Sequence, residues 1–483
     1  MVNASNTLRL LAMPALWMGV VQVLFGAASL VVHDDSVAEP FLLPGGIITF
    51  AAGGLHLALR NRQRHISYRD ALVFATLTWI LVGILGALPI MLITHVSFSD
   101  AVFESISALT TTGATVLSGL DVLPASFLMY RQFLQWMGGL GVVIFVVAVL
   151  PMLNVGGMRL LRAEASGPLK DDKLSPRVRQ AATNLWMVYI VLTLACALAY
   201  YAAGMDIFDA FAHSLTTVST GGFSTHDASL GYFDSHLVFA IANLFMLLGA
   251  ISFGLHFRVI GNRQFWRYWH SEETRIFLLS VAALSFCLGL YLYVTGTYKN
   301  IFEALSFSTF QLISFITSTG FGGADLNAWP MAAAMLLVLA GYLGGCAGST
   351  AGGGKFIRNI IAFKIVRSDT MRAIHPASVK EIRFQGVLVS REIQFAVMAF
   401  CSLVAFSTLV LTLALMLTGL DLLSAFTAVA ACLNVLGPGL GQVAGSFQVV
   451  SDMGIWLLSI AMIIGRLEYF TVLALLFPVF WRY

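Results

Sequence analysis

Charged residues are scarce in this chain: Asp, Glu, Lys and Arg together make up 11% of its 483 residues, while hydrophobic residues make up 58%. A soluble domain carries roughly 25% charged residues, because its surface has to be solvated. The scarcity of charge therefore excludes a soluble globular protein. It indicates a chain that resides in a lipid bilayer.

Cysteine is also rare, and the spacing of the cysteines indicates neither a metal site nor a disulfide framework. Five cysteines lie in apolar stretches, without the spacing of metal ligands or of a disulfide framework, at Cys196, Cys287, Cys346, Cys401 and Cys432. We interpret them as small core residues. The apolar stretches also lack a nucleophile beside a base and lack paired acids, so neither an enzyme nor an organic cofactor is expected. No mixed basic and aromatic pattern points to nucleic acid.

Uncharged runs of membrane-spanning length recur along the chain. A helix needs about 20 apolar residues to cross the hydrocarbon. Most of the runs are that long: 10–33, 40–59, 71–99, 132–158, 235–257, 276–298, 326–354, 393–420, 422–451 and 469–481. We expect the first run to be a resident helix and not a cleaved signal peptide, because it is long and a second apolar run follows it. We predict about ten spanning helices.

Basic residues concentrate in four loops. Of the 27 Lys and Arg residues, 22 lie in 60–69, 159–179, 258–275 and 355–391. Loops rich in Lys and Arg stay in the cytoplasm, so these loops and both termini are predicted to be cytoplasmic. Acids concentrate in the other segments, where they either solvate external loops or form a vestibule that attracts cations. They are Asp34, Asp35, Glu39, Asp100, Glu104, Asp121, Asp206, Asp209, Asp227, Asp234, Glu303, Asp325, Asp421 and Asp452.

One short phrase, two hydroxyl residues followed by glycine, recurs between the apolar runs. Its copies are Thr111-Thr112-Gly113, Ser219-Thr220-Gly221 and Ser318-Thr319-Gly320, with an altered fourth copy at Val435-Leu436-Gly437. Repetition at this scale predicts four diverged units, and four units around an axis enclose a pore. A Phe ten residues before the glycine sets a common register in the first three units, and it slips by one in the fourth, at Phe103, Phe211, Phe310 and Phe426.

The repeat divides the chain into five parts. We predict an N-terminal transmembrane hairpin at 1–65, followed by four helix–pore-loop–helix repeats at 66–180, 181–270, 271–385 and 386–483. Each basic loop separates one repeat from the next. Each repeat must therefore begin and end in the cytoplasm, and its central segment must dip into the membrane and return to the same side.

The dipping segments are predicted to be re-entrant half-helices, because 100–112, 207–220, 301–319 and 422–434 are too short to span. Each begins beside a capping residue, at Asp100, Asp206, Asn300 and Asp421. Their C-terminal ends converge, and the negative ends of the helix dipoles favour a cation there. The loops that follow must line a cavity, where backbone carbonyls can replace the hydration shell of a potassium ion. The predicted filter carbonyls lie at 110–113, 218–221, 317–320 and 434–437.

A glycine-rich run, Gly344–Gly354, interrupts the apolar segment of the third repeat. Each glycine in a helix costs about 1 kcal/mol relative to Ala, so we predict that the helix breaks into an intramembrane loop that gates the path. The alternative is close helix packing through small residues. The predicted gate comprises Gly345, Gly348, Ser349, Thr350, Gly352, Gly353, Gly354 and Arg466.

Arg466 lies in the last apolar segment, followed closely by Glu468. A charge in such a segment is costly and usually functional. The alternative is a simple ion pair between the two side chains. That alternative is the weaker one, because residues two apart do not share a helix face.

These features resemble the Trk/Ktr/HKT superfamily of cation transporters, and most closely its TrkH-type potassium uptake proteins of bacteria. The resemblance covers nearly the whole chain. It rests on the matched phrases, the N-terminal hairpin, and the stretch Asn-Val-Leu-Gly-Pro-Gly-Leu-Gly at 434–441. The shorter KtrB-type relatives lack the hairpin, which favours the TrkH-type assignment.

The resemblance implies an all-α polytopic protein of the bacterial inner membrane, with its four repeats in pseudo-fourfold arrangement. It also implies a homodimer and a cytoplasmic nucleotide-binding regulatory ring of the TrkA type. Arg466 is then expected to project into the pore below the filter and to meet the glycine-rich loop. Gly113 at the first filter position favours potassium, whereas Val435 and Leu436 depart from the hydroxyl pattern.

We therefore expect the potassium-translocating subunit of a bacterial Trk-type uptake system. It would bind K⁺ as cargo in a four-loop carbonyl filter, gated by the glycine-rich loop and the pore arginine. Two alternatives stay open: a proton- or sodium-coupled cation symporter, and a less selective K⁺/Na⁺ transporter.

Overall fold

The computed structural model describes residues 4–59, 68–148, 175–376, 381–467 and 469–482. The basic loops predicted at 60–69 and 159–179 lie largely outside these ranges. Glu468, and with it the alternative of a pair with Arg466, also lies outside them.

The described residues form helices almost throughout. The hairpin and the first repeat contain α1 (Ala4–Ala28), α2 (Ala38–Leu59), α3 (Tyr68–Thr94), α4 (Phe98–Leu109) and α5 (Ala125–Ala148). The second repeat contains α6 (Ser175–Ala202), α7 (Ile207–Val218), α8 (His236–Ala250), α9 (Phe253–Asn262) and α10 (Arg267–His270).

The third repeat contains α11 (Glu272–Val294), α12 (Ile301–Ile316), α13 (Met331–Gly341) and α14 (Phe356–Ile374). A short antiparallel β-hairpin follows, in which β1 (Arg383–Phe384) pairs with β2 (Val387–Leu388). The fourth repeat contains α15 (Arg391–Met416), α16 (Leu422–Leu433), α17 (Asp452–Leu467), α18 (Tyr469–Leu476) and α19 (Pro478–Arg482).

Among the described residues, six helices are long and apolar enough to cross a membrane, or up to eight if each of two bent helix pairs counts as one span. The remaining two predicted spans coincide with α5, which has 24 residues, and with the interrupted pair α13 and α14. The predicted fold class, an all-α polytopic membrane protein, is confirmed.

The four half-helices, α4, α7, α12 and α16, are 12 to 16 residues long. Three begin at the predicted caps: the side chains of Asp206, Asn300 and Asp421 each accept a backbone N–H of the first turn. In the first repeat the cap is Ser97, whose hydroxyl accepts the N–H of Asp100 at 3.1 Å. Asp100 itself lies in the first turn, where the positive end of the helix dipole stabilises its negative charge.

A buried ion pair joins the first half-helix to the rest of its repeat. Arg131 of α5 donates through Nε to Glu104 of α4 at 3.0 Å, and both side chains are almost completely buried. The Glu104 carboxylate also accepts the hydroxyl of Thr115 and the N–H of Val116, each at 3.0 Å. The prediction that Glu104 is an acid of the outer surface is therefore wrong. A short amphipathic segment does not show from sequence alone which of its acids points inwards.

We expect Glu104→Gln to destabilise the protein by about 3–5 kcal/mol, because the change leaves the Arg131 guanidinium buried without a counter-charge. Thermal unfolding in detergent micelles measures the effect. Glu303→Gln is the matched control, because Glu303 is an exposed acid in the first turn of another half-helix. Equal unfolding temperatures for the two variants would contradict the prediction.

A histidine clamped between two carboxylates joins the first and second repeats. The Nε2 atom of His226 lies 3.0 Å from a carboxylate oxygen of Asp209, and its Nδ1 atom bonds the carboxylate of Asp121. The imidazole stacks on the ring of Tyr232, with a centroid distance of 3.5 Å. Partial burial lowers the pKa of His226, but hydrogen bonds that the ring donates to the two carboxylates outweigh this effect, and the net pKa is raised.

The raised pKa predicts that the contacts of His226 stabilise the folded protein most at acidic pH. A group with a raised folded-state pKa stabilises fully below its ordinary pKa, here 6.5, and loses that contribution as the pH rises through the raised value. We expect His226→Gln to lower the unfolding temperature more at about pH 6 than at about pH 9. His236→Gln is the control, because the ring of His236 bonds the hydroxyl of Ser306. If His226→Gln lowers the unfolding temperature equally at both pH values, a clamp that depends on the charge of His226 is excluded.

Candidate cation filter and gate

Each half-helix ends in the same turn. The residue after the C-cap has a positive φ in every repeat: 55° at Thr111, 52° at Thr220, 53° at Ser318 and 56° at Val435. The next N–H then donates back to a carbonyl of the half-helix, as in a Schellman motif. These bonds are Thr112 N to Ser107 O (2.9 Å), Gly221 N to Thr216 O (2.8 Å), Thr319 N to Ser314 O (2.8 Å) and Leu436 N to Ala431 O (2.7 Å).

The turns set the register of the four loops. The glycine two residues after each positive-φ residue also has a positive φ, at Gly113 (82°), Gly222 (78°), Gly320 (83°) and Gly437 (99°). In the second repeat the equivalent glycine is thus Gly222, one residue later than the phrase predicts. Because that loop contains two adjacent glycines after two hydroxyl residues, its sequence fits either register.

The phenylalanine register differs in the same way. Phe103 and Phe310 are completely buried, whereas Phe211 is 42% exposed. Phe211 therefore does not share the position of the other two. Ala212, which is buried, occupies the equivalent place seven residues before the C-cap.

The four loops close into a ring. Each ring glycine faces a backbone carbonyl of the next repeat, and the fourth faces the first. The distances from an added Cβ to the facing oxygen are 2.2 Å (Gly113 to Gly221), 1.9 Å (Gly222 to Thr319), 2.1 Å (Gly320 to Leu436) and 2.7 Å (Gly437 to Thr112). Contacts shorter than 3.0 Å leave no room for a side chain, so this approach of four backbones requires glycine. All twelve predicted filter residues lie in these four loops.

A cavity of about 570 Å³ opens onto the ring and is lined by all four ring glycines. Of the acids predicted for an outer vestibule, Asp227 and Asp325 line this cavity. Asp227 accepts the backbone N–H groups of Gly119 and Leu120 at 2.9 and 3.1 Å. The other predicted acids do not line this cavity, and several of them form helix caps or ion pairs.

Buried polar side chains support the ring from behind. Gln135 donates its amide to Gly221 O at 2.8 Å and accepts the N–H of Phe223 at 3.0 Å, so it holds both sides of Gly222. The sequence analysis missed Gln135. A pair of glutamines, Gln132 and Gln135, at helical spacing in an apolar run is a signal that could have found it.

A second layer of buried polar side chains supports the ring loops. In the first three half-helices it lies six residues before the C-cap, at Glu104, His213 and Gln311. Nε2 of His213 lies 2.8 Å from the hydroxyl of Ser224, the counterpart of the bond between Glu104 and Thr115. In the fourth half-helix the neighbouring residue, Thr427, accepts the N–H of Leu440 at 2.9 Å. The repeats therefore share the position of the support but not its chemistry.

The glycine-rich run interrupts the second helix of the third repeat: α13 ends at Gly341 and α14 begins at Phe356. Close packing through small residues would have left a continuous helix, so that alternative does not hold. We call residues 342–355 the gate loop. Positive φ values at Gly344, Gly348 and Gly353 show why the loop needs glycine.

The gate loop lies directly below the ring and bonds to three of its four loops. The Thr350 hydroxyl lies 3.1 Å from Val218 O, and Gly352 donates its N–H to the hydroxyl of Ser318. Gly353 donates to Asn434 O at 2.9 Å. These bonds satisfy backbone groups that have no water at this depth.

Arg466 of α17 contacts the same loop, as the sequence analysis expects. Its guanidinium donates to Thr350 O at 2.9 Å, and the side chain is 5% exposed. The structure thus brings Arg466 and the predicted gate residues together beneath the ring. A small cavity beside the loop is lined by Gly352, Gly353, Gly354 and Arg466.

A break in the second repeat holds the gate loop from the side. The helix pair α8 and α9 bends by 100° after Ala250. The break frees two carbonyls: Ala250 O accepts the N–H of Cys346 at 2.8 Å, and Gly249 O accepts that of Thr350 at 3.2 Å. Phe253 returns a bond to Gly348 O at 3.0 Å. The sequence analysis missed this break, because the run 235–257 is apolar throughout and can be taken as one span.

A buried carboxylate joins the middle of the gate loop to the helix that follows it. One oxygen of Glu273, at the start of α11, accepts the N–H groups of Ala347 at 2.8 Å and Ile357 at 3.1 Å. Ile357 lies in the first turn of α14, whose N-cap residue, Lys355, provides no side-chain cap. Glu273 therefore caps this helix from a neighbouring one. The sequence analysis gave Glu273 no role.

Comparisons with known proteins agree with this architecture. The family model of TrkH, described as a cation transport protein, matches residues 39–481. The Trk system potassium uptake protein TrkH of Halomonas elongata is 43% identical over 450 residues, which are 93% of each chain. That of Escherichia coli K12 is 43% identical over 425 residues, 88% of each chain.

A solved structure shows the same likeness over the full length. The crystal structure of the potassium transporter TrkH from Vibrio parahaemolyticus matches with a TM-score of 0.92 and 38% sequence identity, and covers 100% of both chains. The resemblance inferred from the sequence is confirmed. The chain belongs to the TrkH family of cation transport proteins, and it is a multi-pass membrane transporter rather than an enzyme.

Proposed function

We propose that this chain is the potassium-translocating subunit of a bacterial Trk-type uptake system. The observation that carries the proposal is the closed ring, in which backbone from four repeats meets around one point at membrane depth. Carbonyl rings of this kind replace the hydration shell of potassium. The names of the relatives, Trk system potassium uptake proteins, support the same cargo.

The proposed filter consists of the four loops at 110–113, 219–222, 317–320 and 434–437. Ions enter from the cavity that opens onto the ring, where Asp227 and Asp325 raise the local cation concentration. In the proposed filter they exchange water for backbone carbonyls of the four loops, whose conformation the Schellman turns fix. Val435 and Leu436 replace hydroxyl residues in the fourth loop but still provide carbonyls, so the filter has four unequal sides.

The proposed gate is the gate loop together with Arg466. Bonds to the ring loops, to the break after Ala250 and to Glu273 hold the loop beneath the ring, where the proposed path continues. The Arg466 guanidinium adds a positive charge directly below the filter, where it opposes the passage of a cation. Opening then requires the loop to exchange these bonds for others.

The remaining features follow from family membership. We propose a location in the bacterial inner membrane with both termini in the cytoplasm, which the basic loops support. We also propose a homodimer and regulation by a cytoplasmic nucleotide-binding ring of the TrkA type. The five parts of the chain retain the proposed boundaries at 1–65, 66–180, 181–270, 271–385 and 386–483.

The filter proposal is tested by cation flux into liposomes that contain the chain alone. We expect potassium and rubidium to pass well ahead of sodium and lithium, and Gly113→Ser to narrow that gap, because a side chain there meets Gly221 O. Gly204→Ser is the matched control, since Gly204 also has a positive φ, 102°, but has no atom within 4 Å of an added Cβ. Equal passage of all four ions in every variant would refute the filter.

The gate proposal is tested by basal flux in the same liposomes. Arg466→Ala removes a charged hydrogen bond to the gate loop, worth about 1.5–3 kcal/mol, which corresponds to a rise of about 10- to 150-fold in the open fraction. The ratio of potassium to sodium flux is expected to stay unchanged, because the ring is intact. Arg372→Ala is the control, because Arg372 pairs with Asp369 on the exposed end of α14. Basal flux no higher in Arg466→Ala than in Arg372→Ala would count against the gate.

A further inference from the structure

Residues 253–270 form an arm that follows the break in the second repeat. The arm consists of α9, a short connection and α10, and it ends one residue before α11, a helix of membrane-spanning length. Because α9 turns away from the apolar helix α8 by 100°, an α8 that enters the bilayer places the arm along the membrane surface. We call it the surface arm.

The surface arm has the composition of an interfacial segment. It contains Arg258, Arg263 and Arg267 but no Asp or Glu. Large side chains are exposed along it, at Phe257 (42%), Ile260 (53%), Phe265 (70%), Trp266 (57%) and Trp269 (54%). Aromatic side chains favour the boundary between headgroups and hydrocarbon, and arginine binds phosphate. A surface that combines both, without acids, fits an anionic lipid headgroup layer.

The surface arm is tied to the gate loop through short contacts. Its first residue, Phe253, donates its N–H to Gly348 O of the gate loop at 3.0 Å. Further along, the hydroxyl of Tyr268 lies 2.7 Å from Nδ1 of the buried His256, whose Nε2 lies 2.8 Å from Leu248 O. Leu248 immediately precedes the two carbonyls that hold the gate loop. A displacement of the exposed aromatic segment is therefore passed to the helix break.

We propose that the surface arm binds anionic phospholipid headgroups of the cytoplasmic leaflet, and that this binding sets the position of the gate loop. The second half of the proposal rests on the proposed function of that loop. A bilayer is favoured over a protein partner because the chain leaves one apolar helix at Ala250 and enters the next at Glu272, 22 residues later, which keeps the aromatic side chains of the arm near the membrane boundary.

Lipid contact is measured by tryptophan quenching in liposomes of brominated phosphatidylglycerol or brominated phosphatidylcholine. The difference between the full chain and the double variant W266F/W269F isolates the two tryptophans of the arm. We expect their quenching to be about twofold stronger in the anionic lipid, and the preference to disappear in R263Q/R267Q. The matched control is R367Q/R372Q, which removes the same charge from exposed positions on α14 and should keep the preference.

Coupling to the gate is measured as rubidium flux in unbrominated liposomes with a stepped fraction of phosphatidylglycerol. We expect flux to change severalfold with that fraction in the full chain and in R367Q/R372Q, but not in R263Q/R267Q. Equal quenching in the two brominated lipids would overturn the proposal that the arm binds anionic lipid, and would favour a protein partner for the arm.

The two halves of the proposal fail separately. A quenching preference with flux independent of lipid would overturn the coupling. A chain that passes no ion in any lipid would refute the proposed function, while the quenching result would still decide whether the arm binds lipid.

Discussion

Irregular backbone at membrane depth must find all its hydrogen-bond partners inside the protein, and this requirement governs the centre of the molecule. The filter loops and the gate loop both leave regular helix where no water can replace the missing bonds. They satisfy one another: gate-loop amides bond to Ser318, Asn434 and the carbonyls freed after Leu248. Each interruption of a helix thus supplies the partners that another interruption needs.

The four repeats share a backbone but not its supports. All four half-helices end in the same turn, yet the buried side chain behind each turn is an acid, a histidine, an amide or a threonine. Glu104 alone brings a counter-charge with it, at Arg131. Repetition therefore preserves the backbone of the four loops, while the surrounding protein has diverged. The proposed pathway accordingly has unequal walls.

Much of this arrangement could be predicted from the sequence, because glycine and short polar residues in long apolar runs are conspicuous. The four loops and the interruption after Gly341 carry that signal, whereas the contact of Arg466 with the loop was expected from the family resemblance. The rest could not be predicted, for identifiable reasons. The adjacent Gly221 and Gly222 left the register open by one residue, and the break after Ala250 lies in an apolar run. Glu273 is an ordinary helix-start residue until the fold places the gate loop beside it.

The residue that opens each filter turn is never glycine, although its φ lies near 55° in every repeat. Three of the four are β-branched, Thr111, Thr220 and Val435, the type for which this conformation is least comfortable. Such residues cost of order 1–3 kcal/mol each and persist only where the surroundings dictate them. Glycine would relax the turn, but it would also let the peptide planes rotate. The stiff side chains thus exchange stability for a backbone that has few other conformations to adopt. In the proposed filter, such a backbone keeps the carbonyl oxygens from closing around an ion of the wrong size.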